Sequence, residues 1–408
     1  MAGGGLLSVA EARERIRVAF TPLAAETVAL SDAAGRVLAE DLAARRTQPP
    51  TAVSAMDGYA VRAADVAKVP AKLKLIGEAP AGGAFNGRVG AGECVRIFTG
   101  GPVPEGADAI VIQEDTDMGA PMVTVTEAPK LRQHIRDAGI DFAEGKVLLR
   151  AGRRLTARDI GLAAAMNHPW LSVRRKPRIA ILATGDEVVR PGDPIGPHQI
   201  VSSNGPALAA FIGARGGMAS DLGIARDEAG SIRALTEGAR GADMLLTTGG
   251  VSVGDYDLVQ RVLGEAGLTV DFWKIAMKPG KPMMFGRLGD TGVIGLPGNP
   301  VSSMVCALLF LGPAIDAMLG LPGPGVPLAR ARLGADVGAN NFREDYLRAT
   351  LKADGPDLPV ATPFPVQDSS MMSRLAEAQC LVIRPPDAPP ARTGDVVEVI
   401  PLSDILGA

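Results

Sequence analysis

Four short segments carry residue types that together could handle a phosphate group. They are Thr184-Gly185-Asp186-Glu187, Thr247-Thr248-Gly249-Gly250-Val251-Ser252-Val253-Gly254-Asp255-Tyr256-Asp257, Met277-Lys278-Pro279-Gly280-Lys281-Pro282 and Pro297-Gly298-Asn299-Pro300. Glycine lets a backbone come close to a ligand and take positive φ. Successive backbone N–H groups ahead of a helix start can hold an anion. The carboxylates of Asp186, Glu187 and Asp255 suit a hard divalent cation, because Mg²⁺ binds through one or two carboxylates plus substrate phosphate oxygens. Lys278 and Lys281 would hold the anionic oxygens of a phosphate group. Each segment also has a plainer use. Asp257 suits an N-cap, Asp186 a turn, the lysines a solvated Pro-Gly turn, and Asn299-Pro300 an N-cap and N1 pair. All four segments follow a candidate strand, and that coincidence favours a shared site.

Other chemistries are disfavoured. The four segments contain no histidine or cysteine to act as base or nucleophile, which favours positioning and electrostatic stabilisation. There is neither a GxxxxGK[ST] nor a GxGxxG pattern. The three histidines (His134, His168, His198) and three cysteines (Cys94, Cys306, Cys380) are scattered, so neither zinc nor a disulfide frame is expected. A formal net charge of −3 gives no reason to expect a nucleic-acid partner. Glu11, Arg13, Glu14 and Arg15 occupy the place of a signal peptide's apolar core. The longest apolar run, near 304–312, is short for a bilayer span. The expectation is a cytoplasmic protein with no membrane segment.

The elements that must position these residues are legible in outline. The 408 residues suggest about two to four domains. Beyond Arg178, strand candidates at 179–183, 244–248, 270–275, 282–285 and 292–296 alternate with helix candidates at 204–215, 230–240, 258–265 and 301–318. That alternation predicts a doubly wound α/β domain with a mostly parallel sheet. Ligands of open α/β sheets bind beyond the carboxyl ends of the strands, which is where the four segments fall. Upstream, helices are expected over 8–20, 31–43 and 156–166, with a turn at Asp57-Gly58. Short strands at 73–76, 94–98, 109–112 and 122–125 predict a small β-domain. After the linker Leu321-Pro322-Gly323-Pro324-Gly325, strands at 328–333, 346–351, 381–383 and 396–400 predict a small β-barrel or sandwich. The short stretch 373–378 is expected to be helical.

With Ser54-Ala55-Met56-Asp57-Gly58-Tyr59-Ala60 and Arg96-Ile97-Phe98-Thr99-Gly100, the segments closely resemble those of the molybdopterin molybdenumtransferases, the bacterial MoeA enzymes and the E domain of gephyrin. The motifs occur in order over nearly the whole chain. The resemblance implies four subdomains: an elongated linker domain (21–45 and 143–174), a small β-domain (46–142), an α/β molybdopterin-binding domain (1–20 and 175–320) and a C-terminal β-barrel (326–408). It implies an elongated homodimer whose active site lies between the α/β domain of one copy and the small β-domain of the other. The implied reaction takes adenylylated molybdopterin, cleaves its pyrophosphate with Mg²⁺, places molybdate on the dithiolene and releases AMP.

The resemblance also implies roles for individual residues. Asp57, Thr99, Glu187, Asp255, Lys278 and Lys281 would be catalytic, and Asp186, Glu187 and Asp255 would bind metal. Substrate contacts would come from Thr184, Gly185, Asp227, Gly249, Gly250, Ser252, Gly254, Pro297, Gly298 and Asn299. Asp141, Arg343, Arg348 and Ser370 would add to them. Around Asp141 the family's Gly-Glu-Asp reads Gly139-Ile140-Asp141 here, so the glutamate is missing. Implied partners are the molybdopterin adenylyltransferase and molybdoenzyme chaperones. Two other readings fit the same residues: an adenylyltransferase that forms the AMP adduct from ATP, and a non-catalytic scaffold on the same dimer.

Overall fold

The computed structural model describes residues 6–249, 258–323 and 325–402. The chain divides into two compact units, one of Met1–Glu26, Gly35–Ala39 and Ser172–Ala408, the other of Thr27–Ala34 and Glu40–Leu171.

In the first unit, six strands form one sheet: β1 (Arg178–Thr184), β2 (Met218–Ala225), β3 (Met244–Thr248), β4 (Leu268–Trp273), β5 (Met284–Leu288) and β6 (Thr291–Leu296). Their spatial order is β2-β1-β3-β6-β5-β4. β1 is parallel to β2 and β3, and β3 to β6. β5 is antiparallel to both β6 and β4, so β4 runs in the same sense as the parallel four. Side chains alternate across the sheet as the pleat requires. Ile179 and Ile181 join one apolar cluster, Ala180 and Leu182 the other. Helices α1 (Val9–Val18) and α2 (Asn204–Ala214) and the long α5 (Pro300–Met318) cover the first face. The second face packs against α3 (Ala229–Thr236) and α4 (Leu258–Glu265). Burial on both faces explains the near-continuous aliphatic runs of the central strands.

Several expectations change. β2 went unread because it is an edge strand with an exposed, polar first half and an irregular register opposite Ile181 and Leu182. Strands expected at 270–275 and 282–285 lie at Leu268–Trp273 and Met284–Leu288. The helix expected over 31–43 is one 3₁₀ turn, Leu30–Asp32. There the chain instead buries Val37 and Leu38, and Leu38 bridges Val173, so tertiary pairing overrides the cap signal. The length argument against a membrane span also fails. α5 has 19 residues with mean hydropathy 1.8, long and apolar enough to cross a bilayer, yet 94% of that window is buried inside the fold. It is a core helix, with a π turn at Ala307–Leu311.

The last part of the first unit closes a five-stranded barrel from β7 (Ala329–Leu333), β8 (Glu344–Asp354), β9 (Asp357–Pro363), β10 (Cys380–Arg384) and β11 (Val396–Pro401). The ring runs β8-β9-β7-β11-β10 and returns to β8. Ala331, Leu333, Leu347, Ala349, Ala361, Val382 and Val399 fill it. β9 went unread because Pro359 and Pro363 argue against a strand. The short helix is at Met372–Glu377. Met277–Lys278 adds to this sheet, parallel to β8 at Glu344 and Asp345.

The second unit holds a five-stranded sheet in the order Ala109–Ile112, Gly58–Val61, Glu93–Ile97, Ala71–Ala79, Met122–Val125. Gly58 does not sit in a hairpin turn as expected. It opens a wholly buried strand that pairs on both sides. The expected helix after Thr156 forms over Ala157–Ala165 with a Thr156/Asp159 capping box.

Candidate functional site

A cavity of about 660 Å³ opens beyond the carboxyl ends of β1, β3 and β6. The strand register makes those ends level: Thr184 lies opposite Ala225, Ala183 opposite Thr248, and Thr248 opposite Leu296. Asn204, in the first turn of α2, ties two of the ends together. Its amide donates to Thr248 Oγ1 at 2.7 Å and to the Gly298 carbonyl at 2.8 Å. Gly249 has φ +86°, and a Cβ there would lie 2.5 Å from the Thr184 carbonyl oxygen. The backbone at Gly249, just beyond β3, therefore rests directly on the end of β1. Thr184 lines the cavity wall, and its hydroxyl is buried with no hydrogen-bond partner among the described residues. Buried hydroxyls are normally satisfied, so this one has unused hydrogen-bonding capacity among those residues.

Asn299 caps α5, with Pro300 behind it, and donates to Ser369 Oγ at 2.9 Å. The Val301 amide donates to the Ser369 carbonyl at 3.1 Å. The stretch between β9 and β10 is thereby fixed at the rim, and it contributes Ser370 and Met372 to the wall. Asp368 accepts from the Ser370 amide at 2.8 Å and from its hydroxyl at 2.6 Å. Arg348 is buried and supports this stretch from behind, donating to the Asp368 carbonyl at 2.6 Å and to Gln367 Oε1 at 3.1 Å. The Arg343 guanidinium lies 5.8 Å from the Phe342 ring centre. Neither arginine lines the cavity.

The acids gather at one side. Glu187 lines the cavity, with its carboxylate folded back over Gly185. Asp186 Oδ1 accepts from the Asp227 amide at 3.2 Å. Partial burial, then the charges of Asp186 and Glu187, push the Asp227 carboxyl above the usual carboxylate range. Carboxylates are the hard oxygen donors that Mg²⁺ takes together with substrate phosphate oxygens. Among the described residues, no group of three or more His, Cys, Asp or Glu is arranged to hold a metal ion. Gly250, Ser252, Gly254 and Asp255 lie outside the described residues.

The lysine segment follows β4, so it leaves the sheet at the same edge. Its Pro282 reaches the cavity wall, while Lys278 and Lys281 are not among the lining residues. Lys278 Nζ lies 3.4 Å from Asp345 Oδ2.

In the second unit, Asp57 and Thr99 meet across 42 positions of sequence. Asp57 Oδ1 accepts from the Thr99 amide at 2.7 Å and from its hydroxyl at 2.8 Å. These bonds, with the Arg96 charge nearby, hold the Asp57 carboxyl below the usual range. The Arg96 guanidinium lies 5.0 Å from the ring centres of both Tyr59 and Phe98, and it donates to Gln113 Oε1 at 2.7 Å. Asp141 is exposed. Its amide donates to the Gln48 carbonyl at 3.2 Å.

Sequence reasoning missed Asn204 and Asp345. Ser202-Ser203-Asn204 supplies more polar groups than one helix cap needs, which was the available signal for the first. Asp345 is a buried acid at the start of β8, just ahead of Tyr346 and Leu347, a place where a charge needs a partner.

Comparison with known proteins gives a consistent result. Family models match as the MoeA N-terminal region (domain I and II) over 7–167, a probable molybdopterin binding domain over 180–317, and the MoeA C-terminal region (domain IV) over 330–402. The chain is 33% identical over 393 residues to the molybdopterin molybdenumtransferase of Haemophilus influenzae, covering 95% of this chain and 96% of that protein. It is 34% identical to the Bacillus subtilis molybdopterin molybdenumtransferase, covering 92% of this chain and 89% of that one. A crystal structure of a molybdopterin biosynthesis MoeA protein from Pyrococcus horikosii superposes with a TM-score of 0.85 at 30% identity, covering 98% of this chain and 100% of that one.

Proposed function

Since the chain belongs to the molybdopterin molybdenumtransferase family, transferases of molybdenum cofactor biosynthesis, we propose that it inserts molybdate into adenylylated molybdopterin with Mg²⁺-dependent pyrophosphate cleavage and release of AMP. The observation that carries this reading is the cavity at the level strand ends, walled by Thr184, Glu187, Asn204, Gly249 and Gly298, with Asp186 accepting from the Asp227 amide next to Glu187.

In this reading Asn204 holds the loops after β3 and β6 in fixed register, so that Gly249 and Gly298 present backbone to the substrate. The phosphates lie against those loops and the start of α5. Such pre-set donors stabilise developing charge without reorganising during the reaction. Asp186 and Glu187, with Asp255, would hold Mg²⁺, whose charge would offset that of the pyrophosphate oxygens. Thr184 donates to a substrate oxygen. Lys278 and Lys281 bring positive charge to phosphate or molybdate oxygens from the segment beyond Pro282. Asp57 and Thr99 of a second copy complete the site, which makes the active species a homodimer. We place the reaction in the cytoplasm, fed by the molybdopterin adenylyltransferase and drained by molybdoenzyme chaperones.

The test incubates purified protein with adenylylated molybdopterin, Mg²⁺ and molybdate, and follows nucleotide release. AMP should appear only when molybdate is present, and Glu187→Gln should abolish its appearance while leaving the fold intact. No molybdate-dependent AMP from the wild-type protein would sink the reading.

A further inference from the structure

The Lys278–Asp345 contact joins two parts of the first unit that the sequence separates by 67 positions. Met277–Lys278 is a two-residue strand, and its only sheet neighbour among the described residues is β8 of the barrel. The pairing places Lys278 opposite Asp345, and the Glu344 amide adds a 2.9 Å bond to the Ala276 carbonyl. The other end of the segment is fixed as well. Gly280 has φ +112°, and a Cβ there would lie 2.5 Å from the buried Cys306 sulfur of α5. The lysine segment is therefore seated on the barrel edge at one end and on the core helix at the other.

Asp345 is an unusual residue for its place. Its side chain is only 12% exposed, whereas Lys278 is 48% exposed. The barrel interior is filled by apolar side chains and needs no carboxylate. Burying a carboxylate costs free energy unless it is paired. Burial does push the Asp345 carboxyl up, against the opposing pull of Lys278. A group kept at that cost, with the cation of a strand-end segment as its side-chain hydrogen-bond partner, is better explained by orienting that cation than by holding the barrel together.

We propose that Asp345 is a positioning residue for Lys278, so that the C-terminal barrel sets where the cation of the lysine segment stands. The half-exposed ammonium keeps faces free for a substrate oxyanion, while the carboxylate and the backbone pairing fix its direction. This rests on the reading of Lys278 as a holder of anionic oxygens during transfer.

The experiment is a double-mutant cycle on the full chain, with kcat and KM measured for molybdate-dependent AMP release alongside thermal unfolding. Lys278→Ala should lose on the order of a hundredfold in kcat. Asp345→Asn keeps the backbone pairing and should lose about tenfold in kcat, with KM moving less than about threefold, because misplacing a charge harms turnover more than binding. Asp345→Glu should restore most of the loss. The double variant should be no worse than Lys278→Ala alone. Unchanged kcat in Asp345→Asn, or a lowered melting temperature with normal turnover per folded molecule, overturns the proposal. Full additivity in the double variant overturns it too, since Asp345 would then act independently of Lys278. Wild-type turnover with an unaffected Lys278→Ala overturns both this proposal and the assignment of Lys278. Absence of wild-type turnover overturns the functional reading beneath them.

Discussion

A methyl group at position 249 has nowhere to go. It would approach the Thr184 carbonyl to 2.5 Å on a backbone already at φ +86°. Strain of this kind costs of order 1–3 kcal/mol. Gly249→Ala should therefore lower unfolding stability by about that amount, read by urea denaturation. It should also reduce turnover more than stability alone accounts for, because the backbone at 249 must lift from the end of β1. Single residues were legible where type and spacing converged. Asp186, Glu187 and Asn299 stood at strand ends and were read as candidates. Asp57 and Thr99, 42 positions apart, were linked to a site only by family resemblance, and the structure shows the two hydrogen-bonded to each other. Asn204 was invisible because an asparagine at a helix start already has a sufficient reason to be there. Arg348 shows the reverse case: it was read as a substrate contact, but its guanidinium bonds to the stretch that carries Ser370.

At the scale of elements, the sheet is braced at its far edge by Asp243, just ahead of β3. Its carboxylate takes two bonds from Arg175, at 2.8 and 2.6 Å, and one from the Arg178 amide at 2.8 Å. Burial alone would raise this carboxyl, but the guanidinium and the amide outweigh it and hold it below the usual range. A depressed carboxyl stabilises the fold above its unfolded-state pKa and loses that contribution as pH falls through its folded value. Asp243→Asn should therefore cost about 1–3 kcal/mol near pH 7, and the difference from wild type should shrink as the medium is acidified. Parallel urea titrations at neutral and acidic pH measure both effects. The elements that escaped sequence reading share one cause. β2 is polar at an edge, β9 carries two prolines, and Gly58–Val61 starts on a glycine. In each, tertiary pairing supplies what local propensity lacks.

At the scale of the molecule, composition and linker chemistry disclosed an α/β region followed by a β-region, and the structure shows a mixed six-stranded sheet and a closed barrel. The proposed assembly makes a further demand. If Asp57 of one copy serves the acids of another, two inactive proteins should rescue each other. Mixing and re-equilibrating equal amounts of Asp57→Asn and Glu187→Gln chains should return about a quarter of wild-type activity, since half the dimers are mixed and each has one intact site. Recovery of none, with mixed dimers demonstrated by a size-tagged chain, would place the whole site within a single copy.

The length and apolarity of α5 have one more consequence, for how the protein is made. A segment of 19 residues with mean hydropathy 1.8 carries the same message to an insertion channel as a membrane anchor does. What distinguishes it is order of synthesis. All six strands of its sheet precede Pro300 in the chain, so the face that receives the helix can already exist when the helix emerges. Placed alone in a membrane-insertion reporter, 300–318 should insert, and preceded by residues 1–299 it should not. Equal insertion in both settings would mean that the nascent sheet gives the helix no shelter.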